Sequence, residues 1–356
     1  MTASWTAQPC APVSSRHRQR AAQRQQELTK PQGALGRLET LAIELAALQA
    51  RDRPAAERAP VIVFAGDHGV TARGVSAYPA EVTVQMLHNF AGGGAAIAVL
   101  ARELGLPLHV RDVGSRGEAP IPGVVVDKIR HGTRDFSTDA AMDEADLEHA
   151  LAAGARAVEA AADGGADLLL LGEMGIGNTT SASALACVLA GLSPAELTGA
   201  GTGVDAARLA HKQATIERAL ALHGAAVAAA AQPGREALRR VGGLEIAAIA
   251  GAMIAAAQRG IPVLVDGFIV SAAALAAVRI QPGVRDWLLF SHRSAERGHA
   301  RLLEALRAEP LLQLDLRLGE GSGAALALPL LRLACALHNR MATFAEAAVA
   351  GREEAS

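Results

Sequence analysis

Glu320 has the most distinctive surroundings of any carboxylate in the chain, because residues 317–324 read Arg-Leu-Gly-Glu-Gly-Ser-Gly-Ala. Glycine adopts positive φ easily and lets the backbone approach a ligand closely. An apolar run at 311–316 predicts a strand before this segment, and residues 324–339 are typical of a helix. Open α/β sheets bind their ligands where strands end and helices begin. Glu320 is therefore a candidate general base.

A second carboxylate, Glu173, lies in residues 172–180, which read Gly-Glu-Met-Gly-Ile-Gly-Asn-Thr-Thr. The segment follows an apolar run and precedes a helical pattern, and the backbone N–H groups at such a helix N-terminus bind anions. It has neither the Lys-Ser/Thr pair of a P-loop nor the later acidic residue of a dinucleotide site. A single phosphate is the expected ligand. The alternative is a tight turn with a helix cap.

Gly201, Thr202 and Gly203 form another glycine cluster, and Lys212 follows on the next predicted helix. Glycine, threonine and lysine together suit the oxygens of a phosphate or ribose. Alone, the cluster is more typical of a flexible loop with an exposed lysine. The presence of two such clusters favours phosphate binding.

Three further segments contain chemically active side chains. Asp67 and His68 are adjacent after the first predicted strand, but no second metal-ligand motif completes a site, so we expect a structural or substrate-facing turn. Tyr78 and Met86 are candidates to line a pocket for a flat apolar ring, with ordinary packing as the alternative. Ser291 precedes a histidine, but no nucleophile elbow surrounds it, which favours a helix cap.

Composition excludes several classes of protein. The net charge is −2 and basic blocks are lacking, so we expect no nucleic-acid partner. The three cysteines are far apart, without metal or disulfide spacing, which predicts a reducing cytoplasm. The sequence has no apolar stretch of about 18 residues and no apolar signal region at its N-terminus, so neither membrane insertion nor export is expected.

Continuously apolar runs alternate with long alanine-rich helical patterns, which predicts a parallel sheet covered on both faces. The predicted strands are 61–65, 108–113, 168–171, 263–265, 288–290 and 311–316. The predicted helices are 35–50, 80–103, 144–162, 181–190, 206–231, 244–258, 295–307 and 324–339. The fold prediction is a three-layer α/β/α domain at 59–324. A polar arm at 1–25 precedes it, and segments 26–58 and 325–356 form a smaller helical lobe.

The motifs occur in an order that resembles the nicotinate-nucleotide:dimethylbenzimidazole phosphoribosyltransferase family of cobalamin biosynthesis. The resemblance spans residues 28 to 345. It rests on Lys-Pro-Gln-Gly-Ala-Leu-Gly-Arg-Leu-Glu at 30–39, Gly-Asp-His-Gly-Val at 66–70, the 172–180 segment, Val-Asp-Gly-Phe at 265–268, Ser-His at 291–292 and the 317–324 octapeptide.

The resemblance implies that nicotinate mononucleotide and 5,6-dimethylbenzimidazole give α-ribazole 5′-phosphate and nicotinate. It implies a Rossmann-like domain, a homodimer, no cofactor and no metal, with Glu320 as the base on the benzimidazole N–H. The residues that it assigns to phosphate and ribose are Gly175, Ile176, Gly177, Asn178, Thr179, Gly201, Thr202, Gly203 and Lys212. The residues that it assigns to the benzimidazole are Tyr78, Gln85, Met86, Ser291, Leu318 and Gly319.

The residues fit this chemistry independently. A carboxylate within hydrogen-bond reach helps an attacking nitrogen to lose its proton, and Glu320 or Glu173 can also stabilise oxocarbenium-like charge. We expect a raised pKa for Glu320 on its partly apolar turn. Three alternatives stay open: transfer to water or another base, a non-catalytic nicotinate mononucleotide sensor, and a metal-dependent hydrolase built on Asp67 and His68.

Overall fold

The computed structural model describes residues 4–199 and 206–350, and Gly201, Thr202 and Gly203 lie outside them. The described residues contain one sheet of six parallel strands in the order β3-β2-β1-β4-β5-β6. The strands are β1 Val61–Gly66, β2 Leu108–Gly114, β3 Val124–Val126, β4 Leu169–Met174, β5 Val263–Val265 and β6 Leu288–Phe290. This is the strand order of doubly wound nucleotide-binding folds, with the direction of winding reversed between β1 and β4.

Thirteen α-helices connect and cover the strands within the described residues. They are α1 Ser15–Glu27, α2 Arg37–Leu48, α3 Val82–Ala91, α4 Ala96–Leu104, α5 Glu144–Asp163, α6 Asn178–Ala190, α7 Pro194–Leu197, α8 Ala206–Ala229, α9 Pro233–Val241, α10 Leu244–Arg259, α11 Phe268–Ile280, α12 His299–Ala305 and α13 Ser322–Arg340. Short 3-10 helices lie at Trp5–Ala7, Gly69–Arg73 and Pro282–Trp287.

Side chains of β1 alternate between two hydrophobic cores. Ile62 and Phe64 pack in the core that contains α5, α6, α10 and α11, whereas Val61 and Val63 pack in the core formed with α3, α4 and α13. Successive strand residues point to opposite faces, so a strand covered on both faces must be apolar throughout. The predicted three-layer α/β/α fold with a parallel sheet is confirmed.

The first and last helices lie together. α1 and α13 both pack against α2, and Arg24 donates to the carbonyl of His338 at 2.7 Å. The segment before α1 is attached to the α/β layers, because Trp287 Nε1 donates to the Ala11 carbonyl at 3.2 Å. The division into arm, lobe and α/β domain stays a prediction.

The strand prediction at 311–316 was wrong. This segment forms only a single bridge, between Leu312 and His292, and Asp315 has a φ of 55°. Leu314 is exposed, so the apolar side chains of this segment do not all face a core. The short strand β3 was not predicted, although its three valines have high β propensity. It lies at the edge of the sheet, where two of the three are exposed.

The predicted helix at 80–103 was also wrong, because glycines 92–94 separate α3 from α4. Residues Val82–Leu104 are long and apolar enough to cross a membrane by length and composition alone. However, α3 and α4 have 10 and 9 residues. A membrane span needs about 20 helical residues, which neither helix provides.

Candidate active site

A cavity of about 590 Å³ opens at the carboxyl ends of β4 and β5, beside the reversal point of the sheet. Its walls come from the start of α3, the loop after β4, the start of α11 and the turn before α13. The residues that line it are Tyr78, Val82, Met86, Glu173, Met174, Gly175, Ile176, Asn178, Thr179, Asp266, Gly267, Phe268, Ile269, Val270, His292, Ser294, Glu296, Arg317, Leu318, Gly319 and Glu320.

Glu320 has a φ of 65° between two glycines whose φ values are 88° and 87°. A non-glycine residue in the left-handed region is strained, and such strain is common at functional sites. A side chain on Gly319 would collide with Glu173, and one on Gly172 would collide with the Glu320 backbone. The glycines therefore allow a tight turn that carries Glu320 to the end of β4.

The Glu320 carboxylate is buried, and its Oε2 accepts a hydrogen bond of 3.2 Å from the Ile97 amide at the start of α4. Burial raises the pKa of Glu320, the Ile97 hydrogen bond opposes this, and the nearby charge of Asp266 adds to it. The raised pKa predicted from the sequence is confirmed.

Two more buried carboxylates lie beside Glu320, and we call Glu173, Asp266 and Glu320 the carboxylate cluster. Burial raises the pKa of Asp266 to about 6, although backbone amides oppose the shift. Its oxygens accept from the amides of Gly321 and Ala324 at 3.1 and 3.0 Å. Asp266 therefore caps α13 and fixes the turn that presents Glu320.

Glu173 is buried next to the Asn178 side chain. Burial raises the pKa of Glu173 well above its usual value, and the charges of Asp266, Glu245 and Glu320 raise it further. The Asn178 side-chain amide donates to Glu173. Like charges that share a buried site cannot all ionise, so their pKa values separate.

Residues 175–179 form the glycine loop, which ends at the N-terminus of α6. Gly177 has a φ of 92° and precedes the first residue of the helix. Lys212, from α8, donates to Thr179 Oγ1 at 2.9 Å and is 2% exposed. Burial lowers the pKa of Lys212 to about 8, and the charge of Glu296 partly offsets this. The helix N-terminus and the buried ammonium give this side of the cavity positive potential.

Apolar side chains line another part of the cavity. Tyr78 and Leu318 are 51% and 59% exposed and lie at the rim, while Phe268 is buried deeper. Val82 and Met86 are one helical turn apart on α3 and also line the cavity. Exposed apolar side chains around a cavity are typical of a site for a flat apolar ligand.

The structure brings most of the predicted site residues to one cavity. Among the predicted residues that it describes, Gln85, Gly177, Lys212 and Ser291 do not line it. Gln85 is exposed on α3. Ser291 is buried, and its hydroxyl hydrogen-bonds with His292 Nδ1 at 2.9 Å. Lys212 reaches the glycine loop only through Thr179.

Asp266 is the main site residue without a predicted role. The sequence does contain a signal for it, since Asp266-Gly267 follows the apolar strand β5 and precedes α11. Asp67 and His68 are buried near the same sheet edge. In the described part of the chain, no group of three or more His, Cys, Asp or Glu residues is arranged to hold a metal ion.

Comparison with known proteins identifies the family. A family model described as phosphoribosyltransferase matches residues 10–349. The nicotinate-nucleotide--dimethylbenzimidazole phosphoribosyltransferase of Bradyrhizobium sp. (strain ORS 278) is 64% identical over 353 residues, 99% of this chain and 100% of that protein. The chain belongs to this phosphoribosyltransferase family. The resemblance drawn from the motifs is therefore confirmed, as is the enzyme class.

Other members of the family support the same assignment. The enzyme of the same name from Pseudomonas aeruginosa PAO1 is 58% identical over 99% of both chains. The crystal structure of the Thermus thermophilus enzyme is 45% identical, covers 96% of this phosphoribosyltransferase and 100% of its own chain, and has a TM-score of 0.89. A second structure, of CobT from the same organism, is 47% identical and has a TM-score of 0.90.

Proposed function

We propose that this phosphoribosyltransferase transfers the phosphoribosyl group of nicotinate mononucleotide to 5,6-dimethylbenzimidazole, releasing nicotinate and forming α-ribazole 5′-phosphate. The observation that carries the proposal is the buried Glu320 carboxylate, which faces a cavity lined by apolar side chains and by the glycine loop. Lys212 donates to Thr179 of that loop. The names of the relatives identify the same two substrates.

Glu320 acts in this proposal as the general base. A benzimidazole N–H must lose its proton as the other nitrogen forms the bond to C1′, and a carboxylate with a raised pKa is suited to accept it. Attack on the face opposite nicotinate inverts C1′ and gives the α-configuration. The electron pair of the broken C1′–N bond leaves with nicotinate.

Glu173 has a different role from Glu320. Burial and the charges of three neighbouring carboxylates raise the pKa of Glu173 well above its usual value, which favours its neutral form. Two carboxyl groups with separated pKa values can divide the acid and base roles between them. We therefore assign the ionised base to Glu320 and a neutral, hydrogen-bonding role to Glu173.

The glycine loop and Lys212 hold the nucleotide phosphate in the proposal. Backbone N–H groups at the start of α6 and the Lys212 ammonium supply positive charge. Anchoring the phosphate orients C1′ toward the carboxylate cluster, so binding energy is used for positioning. Val82, Met86 and Leu318 then cover the faces of the dimethylbenzimidazole ring.

The direct test is to mix the pure protein with both substrates and to measure released nicotinate and the nucleotide product. We expect stoichiometric nicotinate and α-ribazole 5′-phosphate, unchanged by a chelator. Reactions without benzimidazole, or with adenine in its place, identify water or a purine as the acceptor. Tight binding of nicotinate mononucleotide without any nicotinate release would instead support the sensor alternative.

The assembly and location are also proposals. The cysteine spacing predicts a cytoplasmic location, and the family resemblance implies a homodimer. Light scattering should therefore give twice the 36.5 kDa chain mass. A mass equal to one chain at assay concentration would contradict the dimer.

A further inference from the structure

The Asp67–His68 turn directly follows β1, and the proposed reaction assigns it no role. Both side chains are fully buried, although aspartate and histidine are usually exposed. Neither lines the cavity. Their polar groups instead face the underside of the glycine loop, from two different sides.

On one side, the contact runs from Asp67 through Thr83 to the loop. Asp67 Oδ2 accepts from the Arg116 amide at 2.8 Å. Burial raises the pKa of Asp67, and the adjacent Arg116 amide and Thr83 hydroxyl partly oppose this rise. Thr83 Oγ1 in turn accepts from the Ile176 amide at 3.1 Å. The Ile176 N–H is therefore held by Thr83 on α3, which lies beside Asp67.

On the other side, His68 pairs with Glu245 from the start of α10. His68 Nε2 and Glu245 Oε1 are 2.7 Å apart, and both side chains have no exposed surface. A Cβ on Gly175 would lie 3.4 Å from each of these two atoms and would collide with the Gly66 carbonyl oxygen. The pair therefore lies in van der Waals contact beneath the loop.

The Gly69–Arg73 segment completes the support. Thr71 Oγ1 donates to the His68 carbonyl at 2.7 Å. A Cβ on Gly177 would lie 2.7 Å from Thr71 Cγ2 and 3.4 Å from His68 Cβ. The turn thus leaves no room for a side chain at Gly175 or Gly177. This is a reason for glycine at both positions that does not depend on close approach by a ligand.

We propose that Asp67, His68, Thr83 and Glu245 are positioning residues that hold the glycine loop in the geometry that binds the nucleotide phosphate. This inference rests on the proposed function, in which that loop binds phosphate. A polar group buried without a partner is unfavourable, so the loop takes the one conformation that satisfies the Ile176 N–H. The loop amides after Ile176 and the start of α6 are then aligned before the nucleotide arrives.

Thr83→Val and Thr83→Ser are the matched test. Valine keeps the shape but removes the hydroxyl, whereas serine keeps the hydroxyl. We expect Thr83→Val to raise the Kd for nicotinate mononucleotide about tenfold, the effect of one unsatisfied buried N–H. Thr83→Ser should bind the nucleotide as the wild type does. The KM for dimethylbenzimidazole should stay unchanged in both variants.

Glu245→Ala and Glu245→Gln test the His68–Glu245 pair beneath the glycine loop. Alanine leaves His68 without its partner and should weaken nucleotide binding, whereas glutamine can still accept the hydrogen bond and should restore it. The nucleotide Kd is measured by calorimetry below the melting temperature of each variant. If these residues only stabilised the fold, their variants would have a lower melting temperature and an unchanged nucleotide Kd. A Thr83→Val variant with a lower melting temperature and an unchanged nucleotide Kd would overturn the proposal.

The binding readout keeps this inference separate from the proposed reaction. A wild-type protein that binds nicotinate mononucleotide but never releases nicotinate would contradict the proposed function and leave the Kd comparison valid. An active wild type whose Thr83→Val variant has unchanged affinity would contradict only the positioning role.

Discussion

The carboxylate cluster and the Lys212–Thr179 pair are both buried at the same cavity, but they carry opposite charges. Burial raises the pKa values of Glu173, Asp266 and Glu320, and it lowers the pKa of Lys212 to about 8. In both regions burial therefore moves the pKa values toward neutral pH. A carboxylate in this state readily accepts a proton, and an ammonium in this state is stabilised when an anion arrives.

The two regions are also supported differently. Glu320 lies on a strained turn whose amides are fixed by Asp266, whereas Thr179 lies on a loop whose Ile176 N–H is held by Thr83. We infer that the carboxylate cluster performs the chemistry and the glycine loop provides the affinity. Each prediction below separates these two functions.

The largest effect is expected for Glu320→Gln. Glutamine has nearly the same shape but cannot take the proton, so kcat should fall about 10²- to 10⁴-fold. The Kd for nicotinate mononucleotide should remain near the wild-type value. Steady-state nicotinate release and calorimetry measure the two quantities, and turnover close to wild type would refute the base assignment.

Lys212→Ala should weaken nucleotide binding much more than it lowers kcat, which is the opposite of the effect expected for Glu320→Gln. Removing a charge-assisted hydrogen bond should raise the KM for the nucleotide about ten- to a hundredfold. The KM for dimethylbenzimidazole should change little. Equal increases in the two KM values would show that Lys212 supports the whole cavity rather than the phosphate.

Nucleotide affinity should also depend on pH through Lys212. The ammonium is the form that attracts phosphate, so the Kd is lowest below a pH of about 8 and rises as the pH passes through this pKa. Between pH 8 and 9 the Kd should increase about fivefold, because half of the Lys212 ammonium is already lost at pH 8. Calorimetry across this range checks it, and Lys212→Ala should give a flat profile there.

Met86→Ala and Gln85→Ala compare neighbours on α3, of which only Met86 lines the cavity. Loss of the buried methionine atoms should raise the KM for dimethylbenzimidazole about three- to tenfold. Gln85→Ala should leave it unchanged, although the family resemblance assigns Gln85 to the ring. A larger effect at Gln85 would mean that α3 contacts the ring with another face.

Local pattern predicted the sheet well, because β1, β5 and β6 contain no polar side chain, as expected of strands buried on both faces. It failed at 311–316, where apolar residues alternate with polar ones but Leu314 faces solvent. Burial is a tertiary property that this alternation does not reveal.

The site was predictable where one short segment contains both the functional group and its geometry, as at Glu320 between two glycines. Thr83 and Glu245 were not predicted, because their partners are distant in sequence. Glu245 meets His68 only when α10 is placed beside β1. Asp266 was predictable only in part. The sequence shows that it follows a strand, but it does not show which backbone amides its carboxylate contacts.

The separation of chemistry from affinity is tested most directly by combining Glu320→Gln with Lys212→Ala. Effects at sites without shared partners usually add. The account predicts that Glu320→Gln lowers kcat by the same factor with or without Lys212, and that Lys212→Ala raises the nucleotide KM by the same factor in both backgrounds. A double variant whose kcat or nucleotide KM departs from these products by more than about tenfold, or ~1.4 kcal/mol, would contradict it.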